Sequence, residues 1–148
     1  TQSCPDLSVW NLDNIDPKLP VWMAEGLFDM DALNQSGDDI QATSVSSAMW
    51  SVPQLMQLMD KAGSEINIFA DNDKVGLRTA AIMQRFLRMN GFVVRTFISK
   101  TCKDPSEHFV EKKLGWDDVV EIEITSEMIE AQDEMAFNFL KYLKNRKF

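Results

Sequence analysis

The chain has 148 residues, the size of one ordinary domain, and with 45% hydrophobic and 26% charged residues it can bury a core. Two cysteines, Cys4 and Cys102, are too few for a disulfide scaffold, and beside nine methionines they suit a reducing, cytoplasmic setting. A net charge of −8 is a poor balance for holding nucleic acid by charge alone, and no apolar run is long enough for a membrane span.

Residues 1–18, with Pro5 and Pro17, read as an extended lead-in, and a chain opening on Thr1 reads as a piece of something longer. Residues 19–24 (LPVWMA) form a short buried strand that stops at Glu25-Gly26. A helix over 27–35 ends at Ser36-Gly37, and 40–45 is a second strand. Ser51-Val52-Pro53 opens a second helix, closed by Lys61-Ala62-Gly63. Residues 65–70 (EINIFA) are the clearest strand. After Asp71-Asn72-Asp73 a long helix runs to Asn90-Gly91, with Ala80, Met83, Phe86 and Leu87 at core spacing. Residues 92–98 form a fourth strand. Asp104-Pro105-Ser106-Glu107 carries the marks of a helix start, residues 116–124 read as a loop with a short edge strand, and 126–144 as a final helix.

Strands alternating with helices argue for a mostly parallel sheet of about four strands with helices on both faces. The core then spans residues 19–124, and the helix within 125–148 packs on it. Right-handed crossovers place the carboxyl ends of the parallel strands along one edge, where open α/β sheets bind ligands. Five acids fall there: Glu25 after the first strand, Asp29 one helical turn on, Asp71 and Asp73 after the third strand, and Asp104 in the loop after the fourth. Carboxylates crowded together repel unless some stay protonated or a cation neutralises them. All-oxygen donors suit Mg²⁺ or Mn²⁺ rather than zinc.

The negative charge is uneven. Residues 1–70 hold two basic and ten acidic residues, whereas 71–148 hold thirteen of each. Positions 74–103 contain Lys74, Arg78, Arg85, Arg88, Arg95, Lys100 and Lys103 without an acid among them. Basic residues beside a carboxylate cluster point to a phosphate-bearing substrate. Taken singly, each acid also has a plain structural reading, since Asp73 and Asp104 each stand where a helix N-cap would.

Together these residues resemble a known family. Ala24-Glu25-Gly26-Leu27-Phe28-Asp29 is similar to the EGxxD element of Toprim domains, and Phe69-Ala70-Asp71-Asn72-Asp73-Lys74-Val75-Gly76 to their DxD element. Toprim is a Rossmann-like α/β catalytic fold shared by primases, topoisomerases, recombination mediators and some nucleases. The DNDxxG form, followed by Lys103-Asp104-Pro105-Ser106-Glu107-His108-Phe109, is most similar to DNA primases of phage or mobile-element type. A topoisomerase would show a further acid where Val75 stands. The resemblance covers residues 19–114. It implies Glu25 as general acid/base or metal ligand, Asp71 and Asp73 as the main Mg²⁺ ligands, and Asp29 and Asp104 as acids assisting the metal. Gly26 and Gly76 fit close backbone approaches, and Lys74 is placed to meet a nucleotide phosphate. Arg78, Lys100 and Lys103 are candidates for phosphate or template-backbone contacts.

Departures from the family pattern are local. Asp31 stands where an apolar residue usually packs the first helix, leaving that helix shifted or more exposed. The segment 44–48 lacks the usual glycine, although its serine hydroxyls can meet a phosphate. Ser106 replaces an acid found in some primases, against a full second metal site. The lone His108 has a surface or packing role, Cys102 lacks the partner a catalytic thiol needs, and Trp22 belongs to the core. Trp50 and Trp116 fall in loops, open to burial or to base stacking.

The resemblance thus implies the Toprim domain of a DNA primase, making RNA primers from nucleoside triphosphates on single-stranded DNA with Mg²⁺ or Mn²⁺. A replicative helicase or other domains of the parent protein are its expected partners, with no membrane. Two rivals stand beside it. One is Toprim metal-dependent nuclease or topoisomerase-type cleavage, of which the topoisomerase is disfavoured because the only tyrosine, Tyr142, lies far from the motifs. The other is a non-catalytic module that binds nucleic acid or a replication partner.

Overall fold

Short runs of β-branched and aromatic residues make five strands: β1 (Val21–Met23), β2 (Gln41–Thr43), β3 (Glu65–Phe69), β4 (Val93–Ser99) and β5 (Val119–Ile122). A computed structural model describes residues 7–46 and 49–128. Within it the strands form one sheet in the order β2-β1-β3-β4-β5. The first four run parallel, as expected, and β5 adds an antiparallel edge against β4.

Three helices connect the parallel strands: α1 (Leu27–Gln35), α2 (Val52–Lys61) and α3 (Lys74–Met89). Each begins for a local reason. Ser51 and Gln54 form a reciprocal capping box around Pro53 at the start of α2. Asp73 caps α3 by accepting a 2.6 Å hydrogen bond from the Gly76 N–H. Gly26 precedes α1 with extended backbone and no side-chain cap. The helix expected from Asp104 onward is a single π-helical turn over Ser106–Glu111.

The period of two along the strands divides the core between two faces. Val21, Met23, Ile66, Ile68, Val94 and Ile98 point to the side covered by Leu55 and Leu58 of α2 and by Leu77, Ala80 and Leu87 of α3. Trp22, Ala24 and Phe69 point to the other side, under Met30 and Leu33 of α1. The second core ends in an aromatic cluster, with the Trp22 ring 5.0 Å from Trp116 and 4.9 Å from Phe97. Trp50 is buried in the first core. Trp116 packs in this cluster and donates from Nε1 to Ser36 Oγ at 3.1 Å. Neither tryptophan is presented to a base.

The lead-in is docked along the sheet edge. Trp10 bridges Ser44 through a 2.8 Å backbone hydrogen bond, and Val9, Leu12 and Ile15 pack on the first core. Ser44 Oγ donates to the Ala24 carbonyl at 3.1 Å, so this hydroxyl serves the fold and not a phosphate. Residues 126–128 open a helix capped by Thr125, whose hydroxyl accepts from Met128 N at 3.2 Å. The rest of the expected final helix, with Tyr142, lies outside the described residues, as do Cys4 and positions 47–48.

Strand order positions the functional edge. From β1 the chain leaves through α1 toward β2, and from β3 it leaves in the opposite direction through α3 toward β4. Right-handed crossovers in opposite directions put α1 and α3 on opposite faces. They open a crevice between the carboxyl ends of β1 and β3, which are paired neighbours.

Candidate functional site

Glu25 lies two residues beyond β1 and Asp71 two residues beyond β3, so the crevice is flanked by a carboxylate on each side. The two side chains share a hydrogen bond, and Glu25 also accepts from the Asp71 backbone N–H. Asp29 comes up from the first turn of α1, held by N–H donors from Gly26 and from Ser106, the latter at 3.0 Å. Asp104 arrives from the loop after β4 and caps the π turn, accepting from Glu107 N at 2.8 Å. Carboxylate oxygens of Asp29, Asp71 and Asp104 all lie within 4.8 Å of one another.

Burial and mutual repulsion dominate the electrostatics. Desolvation pushes Asp71 up to about 9, reinforced by the charges of Glu25, Asp29 and Asp104. Desolvation likewise raises Asp29 to about 6, opposed by the Ser106 N–H. Glu25 is raised by burial, with the hydrogen bond from Asp71 pulling the other way. Without a cation, the Glu25–Asp71 pair thus keeps a proton, which resides on Asp71.

One atom marks where a cation fits. Among the described residues Asp71 Oδ1 is buried with no hydrogen-bond partner, and the Asp71 carboxyl clusters with those of Asp29 and Asp104. A buried acceptor left unpaired is costly, and a hard cation with oxygen ligands satisfies it. These residues therefore suit Mg²⁺ or Mn²⁺, with Asp29, Asp71 and Asp104 as the set and Glu25 adjoining.

Asp73, by contrast, has both oxygens engaged elsewhere. Oδ1 caps α3, and Oδ2 lies 3.4 Å from Lys103 Nζ. The N-cap expected of Asp73 is seen. Its charge is also the first cause of the raised Lys103 pKa. Of the five acids expected at this edge, the structure brings Asp29, Asp71 and Asp104 together, holds Glu25 against Asp71, and turns Asp73 toward the helix and a lysine.

Gly76 is required by a close approach. A Cβ placed there would lie 2.4 Å from the Asp71 carbonyl oxygen and 2.7 Å from the Asp71 Cβ. The first turn of α3 thus rests directly on the residue that carries the central carboxylate.

The loop bearing Asp104 is fastened by His108, which is fully buried. Ser99 Oγ accepts from Cys102 N at 2.9 Å and from Thr101 N at 3.3 Å, leaving its own hydrogen for His108 Nδ1 at 2.6 Å. His108 Nε2 then donates to the Gly115 carbonyl at 2.8 Å. The histidine packs and braces, as expected, and Cys102 is a buried free thiol.

The basic run finds counter-charges that the sequence window hides. Arg88 pairs with Glu123 at 3.0 Å and Arg95 with Glu121 at 3.5 Å, both acids supplied by β5 and the residues just after it. Arg78 and Arg85 stay exposed on α3, Lys100 is exposed after β4, and Lys74 is half-buried at the α3 start.

The outer wall of the site adds Leu27 and Phe28 to the residues expected at this edge. Gly26, Leu27, Phe28, Asp29, Asp104 and Glu107, among others, line an open cleft of about 300 Å³. Phe28 is 82% exposed there. The signal available in sequence was an aromatic inside the EGxxD element itself.

A family model described as Toprim-like matches residues 22–109. No curated protein matches the chain. Among solved structures, a DNA primase domain from Pseudomonas aeruginosa superposes with a TM-score of 0.56 at 21% identity, over 68% of this chain and 32% of that one. A DnaG primase catalytic domain bound to single-stranded DNA gives 0.52 at 20% identity, over 90% and 39%. A DnaG catalytic core gives 0.57 at 20% identity, over 94% and 44%. The chain spans less than half the length of each of these structures. At such identities the likeness is one of fold.

Proposed function

Because the chain belongs to the Toprim-like family, we propose that it is the catalytic Toprim domain of a DNA primase, with nucleotidyl transfer at the Glu25–Asp71 crevice. The observation that carries this reading is the cluster of the Asp29, Asp71 and Asp104 carboxyls, with Asp71 Oδ1 buried and unpartnered among the described residues. A Mg²⁺ or Mn²⁺ ion there supplies Lewis-acid stabilisation of the charge that develops on a triphosphate.

The chain's own residues then have distinct tasks. Asp71 would be ionised as a ligand of the cation, since a coordinating carboxylate must be. Gly26 and Ser106 hold Asp29 in place through their N–H groups. Glu25, raised by burial, stands beside the ligands as the base that takes the proton of an attacking 3′ hydroxyl. Asp73 fixes the start of α3 and pairs with Lys103, and Lys103 and Lys74 are the candidates for a nucleotide phosphate. Arg78 and Lys100, both exposed, are candidates for the template backbone.

Single-stranded DNA as template is supported by the neighbour solved with that ligand. Nucleoside triphosphates as substrates are supported by the acidic cluster with Lys103 close by. A replicative helicase or further domains of the parent protein remain the proposed partners. No helix among the described residues is long and apolar enough to cross a membrane, and a buried free thiol suits the cytoplasm.

The test is primer synthesis on a single-stranded template with ribonucleoside triphosphates and Mg²⁺ or Mn²⁺, comparing wild type with Asp71→Asn and Glu25→Gln. Metal-dependent product that both substitutions reduce at least 100-fold is expected. Strand cleavage without synthesis would move the assignment to a Toprim nuclease, and synthesis indifferent to Asp71 would end it.

A further inference from the structure

Among the described residues, Phe28 has no structural task that accounts for its position. It sits in the first turn of α1, next to Asp29, and is 82% exposed while Met30, Ala32 and Leu33 supply the buried side of the same helix. The ring borders the cleft of about 300 Å³ that Asp29 and Asp104 also line. The polar part of that wall is acidic, with Glu107 and Glu111 adding to the two aspartates. A bare anion is repelled from such a cleft, and an apolar partner would be ill matched to four carboxyl groups. The chemistry that fits both features is a molecule with a planar aromatic ring at one end and a metal-bound polyphosphate at the other.

We infer that Phe28 is a positioning residue for the incoming nucleotide, stacking on the base while the phosphates engage the cation at Asp29, Asp71 and Asp104. The inference rests on the primase reading and names a contact that reading leaves open. Stacking on a ring is tolerant of base identity, as a site serving four nucleotides requires. α1 places the ring and the Asp29 carboxylate in one rigid turn, so base and phosphates are registered against each other.

The test uses the full chain and a fluorescent triphosphate whose base is 2-aminopurine, a fluorophore quenched by stacking. Inorganic tripolyphosphate serves as the ligand without a base, and Mn²⁺ alone probes the metal site. Wild type is expected to quench the probe in a Mg²⁺-dependent way. Phe28→Ala is expected to lose the quench and bind the nucleotide about tenfold more weakly, a factor at the low end of base–aromatic stacking. It keeps wild-type affinity for tripolyphosphate and Mn²⁺, and Phe28→Trp restores both quench and affinity. Because Phe28 is exposed, none of these changes threatens folding.

Unchanged quench and affinity in Phe28→Ala would overturn the inference while leaving the primase reading intact. Equal loss of nucleotide and tripolyphosphate would also overturn it, as would an altered association state with nucleotide binding unchanged, which would reassign the ring to a protein contact. Wild type that binds neither ligand in the presence of Mg²⁺ would overturn both.

Discussion

Asp71 is held between two demands: its place at the end of β3 buries it, and its neighbours are acids. In the metal-free protein its pKa of about 9 lies well above the ordinary value of 3.8. The folded state therefore binds this proton more tightly than the unfolded chain does. That contribution to stability is complete below about pH 4 and is lost progressively as pH rises through 9, with the Asp29 share gone by about pH 6. Metal-free protein is thus expected to melt at a lower temperature at pH 8 than at pH 5, and saturating Mg²⁺ to remove most of the difference. Thermal unfolding with and without EDTA checks this. Asp71→Asn cannot ionise in the unfolded chain, so in EDTA at pH 8 it should raise the melting temperature above that of wild type, and by less at pH 5. Cation affinity in wild type should rise with pH up to about 9, because binding releases the proton.

At the level of elements, the site depends on how α3 and the β4 loop are seated. Gly76→Ala forces a Cβ against the Asp71 backbone and should cost about 1–3 kcal/mol, with cation affinity falling alongside. Gly115→Ala, where a Cβ meets nothing within 4 Å, is the matched control and should be neutral by denaturant titration. Ser99→Ala removes the hydroxyl that joins Cys102, Thr101 and His108. Leaving the buried Cys102 and His108 groups unpaired should cost about 1–3 kcal/mol and loosen the loop that presents Asp104.

The helices and parallel strands were legible because their signals are local: the Ser51–Gln54 box, the Asp73 cap and the period of two in β3. Glu25 and Asp71 were legible because strand ends in a parallel sheet share an edge. What sequence left undecided is where the flanking acids face. Asp73 takes the cap beside its own helix, whereas Asp29 and Asp104 meet through a contact between α1 and the loop after β4. Such a contact joins segments some 75 positions apart and has no local signature. The π turn and the Phe28 ring were hidden for the same reason, since neither follows from spacing alone.

For the whole molecule, net charge misleads until its placement is known. Part of the acidity is gathered in the cluster of Asp29, Asp71 and Asp104, and two of the seven basic residues that looked unopposed are matched by Glu121 and Glu123. Phosphate contacts should therefore come from the exposed Arg78 rather than from Arg88 or Arg95. In single-stranded DNA binding measured against salt, Arg78→Ala should reduce the slope of log K on log salt by about 0.7, the value per phosphate contact on single strands. Arg95→Ala should leave that slope nearly unchanged and alter stability by less than about 1 kcal/mol, as exposed ion pairs do. The central claim is that Asp71, with Asp29 and Asp104, holds the cation, while Asp73 serves the helix. Calorimetric titration of Mn²⁺ into wild type, Asp71→Asn and Asp73→Asn tests it most directly. The account predicts saturable binding to wild type, at least 30-fold weaker binding to Asp71→Asn, and Asp73→Asn within a few-fold of wild type because asparagine still caps α3. Wild-type affinity in Asp71→Asn, or an equal loss in both variants, would contradict it.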